Sequence, residues 1–141
     1  MHMRCVAHIL NLIVSDGLKE IDPYISRIRA ACKFARSSPS RLATFKRCAY
    51  EATITSEASI CLDVSTRWNS TYLMLDVAEK FEKEYKQIEY DDPQYLIALA
   101  NEGCPNSDDW NRACMFIKVL KVFYDATLMF VGSLMLQYTC F

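Results

Sequence analysis

The chain has 141 residues, 52% hydrophobic and 12% aromatic, which excludes intrinsic disorder, because a disordered chain lacks the apolar surface that offsets the entropy of ordering. Three glycines and four prolines are too few for the turns of an all-β sandwich, so helix is the simpler architecture. The net charge of −1 conceals a split: residues 1–50 hold nine bases against three acids, about +6, and the rest holds seven bases against fourteen acids, about −7; such a basic part suits an anionic partner, nucleic acid above all, unless the two parts neutralise each other within the fold.

Residues 4–16 place apolar side chains at 6, 9, 10, 13 and 14, close to a helical stripe, and Gly17 suits a left-handed stop. Asp22 and Pro23 then read as the cap and first residue of a second helix. Its inward face is Ile25, Ile28, Cys32 and Ala35, with Arg27, Arg29, Lys33 and Arg36 on its other sides. Ser38 as cap and Pro39 as first residue restart the helix, with Leu42, Phe45 and Ala49 inward and Lys46 and Arg47 outward. The β-branched and hydroxyl residues of "ATITSEASICLDVST" break the pattern and predict a loop, with a short strand at 60–64. Ser65 or Thr66 can cap a long fourth helix with the stripe Tyr72, Leu75, Ala78, Phe81, Tyr85, Ile88. Its outer face, "EKFEKEYK", has the alternating charge of a solvated surface. "DDPQYLIALANEG" holds a short helix ended by Gly103. Ser107 caps a last helix with the stripe Ala113, Phe116 or Ile117, Leu120, Tyr124, Leu128. The expected fold is mainly α, with five or six helices.

Seven scattered cysteines without a C-x-x-C pair suit a reducing compartment. No cleavable leader is expected at the N-terminus, where His8 and Asn11 interrupt the apolar run. The uncharged tail "ATLMFVGSLMLQYTCF" is shorter than the roughly 20 residues of a membrane span. Cys5 and His8 share a helical face, but zinc needs about four ligands, so a buried cysteine beside a hydrogen-bonded histidine is the simpler reading. No phosphate loop, nucleophile elbow or H-E-x-x-H motif occurs. Arg67 and Trp68 leave two readings open. Trp68 can be a packing residue at a helix start, with Arg67 solvated. Alternatively, the indole stacks an unpaired base while the guanidinium meets its phosphate, and the ring is then at least partly exposed.

"RCVAHILNLIVSDGLKEI", "SRIRAACKFARSSPSRLATFKRCA", "LDVSTRWNSTYLMLDVAEKFEKEY" and "NSDDWNRACMFIKVLKVFYDATLMFVGSL" resemble hAT-superfamily transposases of the plant domesticated daysleeper and ricesleeper type, over residues 4 to about 134. The resemblance implies a BED zinc finger and a ribonuclease-H-like catalytic core elsewhere in the family, with a large helical domain inserted into that core. It implies that residues 4–17 match the end of a core segment, 22–134 the helical insertion and 135–141 a divergent tail, together a single partial domain over 1–141. It also implies that Arg67 and Trp68 contact DNA. Neither the finger, the catalytic acids nor the dimerisation region falls in this window, and the ending "MLQYTCF" departs from the pattern, as in a truncated product.

The expectation is therefore a catalytically incomplete, nuclear, DNA-binding segment with no cofactor, no metal, no small-molecule substrate and no membrane. DNA binding is expected to be weak and salt-dependent, through Arg67, Trp68, Arg27, Arg29, Lys33, Arg36, Arg41, Lys46 and Arg47. The remainder of a transposase-like core is a second partner. A helical protein-interaction module and a non-functional transposon remnant are the alternatives.

Overall fold

The computed structural model describes residues 3–51, 62 and 68–139, with side chains for 8–9, 11–47, 50, 62 and 68–129. The regular structure among these residues is helical: α1 (Met3–Ala35), α2 (Pro39–Glu51), α3 (Trp68–Lys80), α4 (Glu82–Asp91), α5 (Pro93–Ala98) and α6 (Ser107–Thr139). The mainly α expectation holds, with six helices. The strand expected at 60–64 and the caps Ser65 and Thr66 lie outside the described residues, apart from Leu62, which belongs to no element.

α1 departs from the expected break at Gly17 and Pro23. It runs unbroken through both. Pro23 removes one N–H and crowds the carbonyl a turn back, a cost the helix bears only when packing outweighs it. That packing comes from Val14, Ile21, Ile25, Ile28 and Cys32, all buried on one side. Gly17 is no stop: its surroundings are open, whereas the left-handed glycine is Gly103, at φ 86°. Ile9 and Ile13, expected in the first stripe, are exposed.

α2 starts as expected, with Ser38 Oγ accepting from the Arg41 N–H at 3.2 Å and Phe45 buried; the side chain of Ala49 lies outside the described residues. The long helix expected next is two helices. Phe81 breaks it at φ −104°, ψ 16°, its N–H turning to the Ala78 carbonyl at 3.0 Å in a tightened turn. Of the expected inward residues, Tyr72, Leu75, Ala78, Phe81 and Tyr85 nevertheless remain buried, while Ile88 is only partly so.

α6 has a different cap from the one expected. Asn106 Oδ1 accepts from the Asp109 N–H at 2.9 Å, and Asp109 Oδ2 accepts from the Asn106 N–H at 2.9 Å. This reciprocal box satisfies two backbone donors at once, leaving Ser107 as the first helical residue. Ala113, Ile117 and Leu120 are buried as expected, but Leu128 is 53% exposed, so the inward stripe stops short of it. An aromatic chain ties the layers together. Phe34 meets Tyr95 edge-on at 5.1 Å, Phe45 lies 4.6 Å from Tyr85, and Tyr85 stacks on Trp110 at 5.6 Å.

Candidate nucleic-acid interface

The C-terminal half of α1 and the whole of α2 carry most of the bases singled out in the sequence, and burial sorts them into two groups. Arg27 belongs to the fold. Its Nη1 donates to Asp109 Oδ1 at 3.0 Å and its Nε to the Glu102 carbonyl at 3.2 Å. Asp109 is fully buried, so one carboxylate caps α6 and also ties it to α1. Gly103, beside Glu102, turns the chain toward this tie in a conformation that a side chain would strain.

Arg41 is also committed. It donates to Ser37 Oγ at 2.7 Å and to Gln94 Oε1, and its guanidinium lies 4.2 Å from the centre of the Phe34 ring. It therefore links α2 to α5 and covers an aromatic face. Arg29 is largely buried, with Nη1 3.8 Å from Asp22 Oδ1. Lys33, Arg36, Lys46 and Arg47 form the exposed group. A shallow groove of about 430 Å³ runs between Arg29, Lys33, Ser37 and Arg41 on one side and Leu99 and Glu102 on the other.

Trp68 overturns the expectation of exposure. It is only 5% exposed and belongs to the hydrophobic core, while its backbone N–H points to Asn11 Oδ1 at 3.4 Å. In this conformation it packs the start of α3, because an indole offers more apolar area to the core than a short first turn can otherwise provide. Arg67 lies outside the described residues. So does the side chain of Cys5, and His8 is exposed. Among the described residues no three His, Cys, Asp or Glu side chains group as a metal site.

Two features lie beyond the sequence expectations. "NSDD" contains a capping-box signature, Asn followed three residues later by an acid, but Ser107 beside it competes as the apparent cap. The pairing of Arg27 with Asp109, 82 positions apart, has no local signal.

Residues 3–119 match the model of the ZBED1 RNase-like helical domain. The chain belongs to this family. It is similar, at 38% identity over 132 residues, to a Zea mays protein named as an AC transposase, covering 94% of this chain and 16% of that protein. The rice (Oryza sativa subsp. japonica) zinc finger BED domain-containing protein RICESLEEPER 2 is 38% identical over 124 residues, covering 88% of this chain and 16% of that protein. DAYSLEEPER of Arabidopsis thaliana is 31% identical over 70 residues, covering 48% of this chain and 9% of that protein. The family is thus of the hAT transposase type, and the daysleeper and ricesleeper resemblance holds. The chain spans about one sixth of the length of the first two relatives. No solved structure matches it.

Proposed function

We propose that this domain is a DNA-contacting helical segment of an hAT transposase-like nuclear protein, binding through phosphates rather than base edges. The observation that supports this reading is the exposed basic margin of Lys33 on α1, Arg36 in the turn just after it, and Lys46 and Arg47 on α2, beside the groove bordered by Arg29 and Arg41. Cations on a rigid helical surface track a phosphate backbone without reading sequence, so binding is weak and strongly salt-dependent. Arg27 is reassigned from DNA contact to fold support, and Arg41 contributes charge from a fixed position. Arg67 and Trp68 enter on the family resemblance alone, and base stacking by Trp68 requires the first turn of α3 to release the ring from the core. The segment itself performs no strand cleavage in this proposal. Two-metal phosphoryl transfer needs carboxylates converging on one point, whereas Asp109, Asp108, Asp92 and Asp16 each serve a cap or an ion pair.

The test is the salt dependence of duplex binding, measured by fluorescence anisotropy with the Lys33→Glu/Lys46→Glu double variant. The slope of log affinity against log salt should fall by about 0.9 for each phosphate that is no longer neutralised. An unchanged slope moves the binding surface elsewhere.

A second reading has its own support. Ile9, Leu12 and Ile13 on α1 and Val119, Val122, Leu128 and Met129 on α6 are exposed apolar residues, suited to packing against the remainder of a transposase-like core. Salt separates the two readings, since apolar docking does not weaken with ionic strength.

A further inference from the structure

Away from the basic margin, a groove of about 700 Å³ opens between the end of α1, α2 and α4. Its walls include Phe34, Ala35, Phe45 and Ile88, with Glu84 of α4 among them. Glu84 falls in the run expected to form a solvated charged face, yet it is only 7% exposed and its Oε2 has no hydrogen-bond partner. Its neighbours on α4 take the solvated part: Lys86 pairs with Glu82 at 2.9 Å and Gln87 donates to Asp91 at 3.0 Å. The two cations that border the groove do not pair with Glu84. Arg41 is held by Ser37, Gln94 and the Phe34 ring, and Lys83 is exposed. A buried carboxylate without a partner is costly, and the cost is recovered when a cation with hydrogen-bond donors reaches it.

We propose that this groove docks the side chain of a lysine or arginine presented by a partner polypeptide, its aliphatic stem along Ile88 and its charged head at Glu84. Charge and shape are both complementary. A ligand that is apolar along its length and cationic at its tip matches an apolar-walled groove that contains an unpartnered carboxylate. Asp91 and Asp92 also border the groove and add negative potential for an incoming cation. Arg41 and Phe34 border this groove and the one beside the basic margin, but Glu84 lines only this one, so substituting Glu84 tests this proposal without removing a base that would meet DNA.

The experiment titrates the 141-residue chain with acetyl-Leu-Lys-Leu-amide while backbone amide shifts are followed by NMR. Two control peptides carry Nε-acetyllysine or norleucine at the centre. The lysine peptide should shift amides of Thr44, Phe45, Glu84 and Ile88, with both controls about tenfold weaker or worse, as expected when the charge partner of a desolvated group is removed. Glu84→Gln should reduce lysine-peptide binding to the level of the norleucine control. Equal binding of all three peptides, shifts confined to other surfaces, or an unchanged affinity in Glu84→Gln would overturn the proposal. The control peptides decide the point on the unsubstituted chain even if the variant does not fold. Binding of free butylammonium as tight as that of the lysine peptide would overturn the polypeptide assignment.

Discussion

Replacing Arg27 by alanine tests whether this residue supports the fold or reaches outward to DNA. In the structure its guanidinium neutralises Asp109, which is fully buried, at 3.0 Å. Without Arg27, the Asp109 carboxylate keeps the Asn106 N–H but loses its countercharge while remaining out of water. Breaking a buried pair from one side costs about 3–5 kcal/mol. Because the Arg27 side chain is one-third exposed, the pair is not wholly desolvated and the lower end, about 3 kcal/mol, is expected. For a chain of this length that lowers Tm by roughly 6–12 °C. Asp109→Asn keeps an acceptor for the α6 cap and leaves an arginine that can turn toward water, so it should cost less, about 1–2 kcal/mol. Urea denaturation followed by circular dichroism measures both variants and the double variant, whose cost should be well below the sum. If Arg27→Ala melts like the parent chain but loses DNA affinity, the assignment is refuted and Arg27 is a DNA ligand after all.

Other substitutions probe the core and the first turn of α3. Leu75→Ala deletes a side chain that is 1% exposed and should cost about 2–5 kcal/mol in the same denaturation assay; an unchanged midpoint would mean that α3 presents another face inward. Trp68→Ala should cost about 3–5 kcal/mol in the absence of DNA, whereas a ring poised outside the core would change stability little. Alkaline pH should unfold the domain by a definite route. Burial, then Cys104 and Glu89, pushes the Tyr95 phenol well above its ordinary value, and burial followed by Asp76 raises Tyr72. The unfolded phenols ionise near pH 10 while the folded ones keep their protons, so this contribution is full below that pH and is lost as pH rises through the folded values. Tyr95→Phe should flatten the fall in stability above about pH 10, and an unchanged profile would assign it to other groups.

The α class and most of the inward residues were legible because burial imposes a helical period on the sequence. Ile25, Ile28, Cys32, Phe45, Leu75 and Tyr85 lie where that period put them. Helix ends were less legible. Gly17 and Pro23 carry strong local stop signals, yet the side-chain packing of α1 outweighs them, and that packing depends on residues far along the chain. Phe81 shows the reverse. Nothing in "AEKFEKEY" marks a break, but the helix tightens there while the ring remains buried 5.4 Å from Phe45. In the candidate interface the sequence identified basic residues but not their allegiance, because a guanidinium bound to phosphate and one bound to a buried carboxylate carry the same letter.

That ambiguity also explains why the charge split is an incomplete guide to function. Part of the excess of the first fifty residues is neutralised across the fold by the pairing of Arg27 with Asp109 of α6, while Arg41 keeps its charge but is held in place by Gln94 of α5 and the Phe34 ring. Internal neutralisation and an outward-facing basic surface are therefore complementary descriptions. The bases held inside fix α1 and α2 against α5 and α6, and this rigidity gives Lys33 and Lys46 a constant relation to each other. Two lysines on independently moving helices would lose more conformational entropy on meeting a phosphate backbone than two carried by one packed body. Loosening the Arg27–Asp109 tie should thus weaken DNA binding indirectly, by disordering the surface that carries the charge. The loss should follow the fraction unfolded while the salt slope of the folded protein stays unchanged, whereas direct charge reversal at Lys33 and Lys46 should alter that slope in a chain that remains folded.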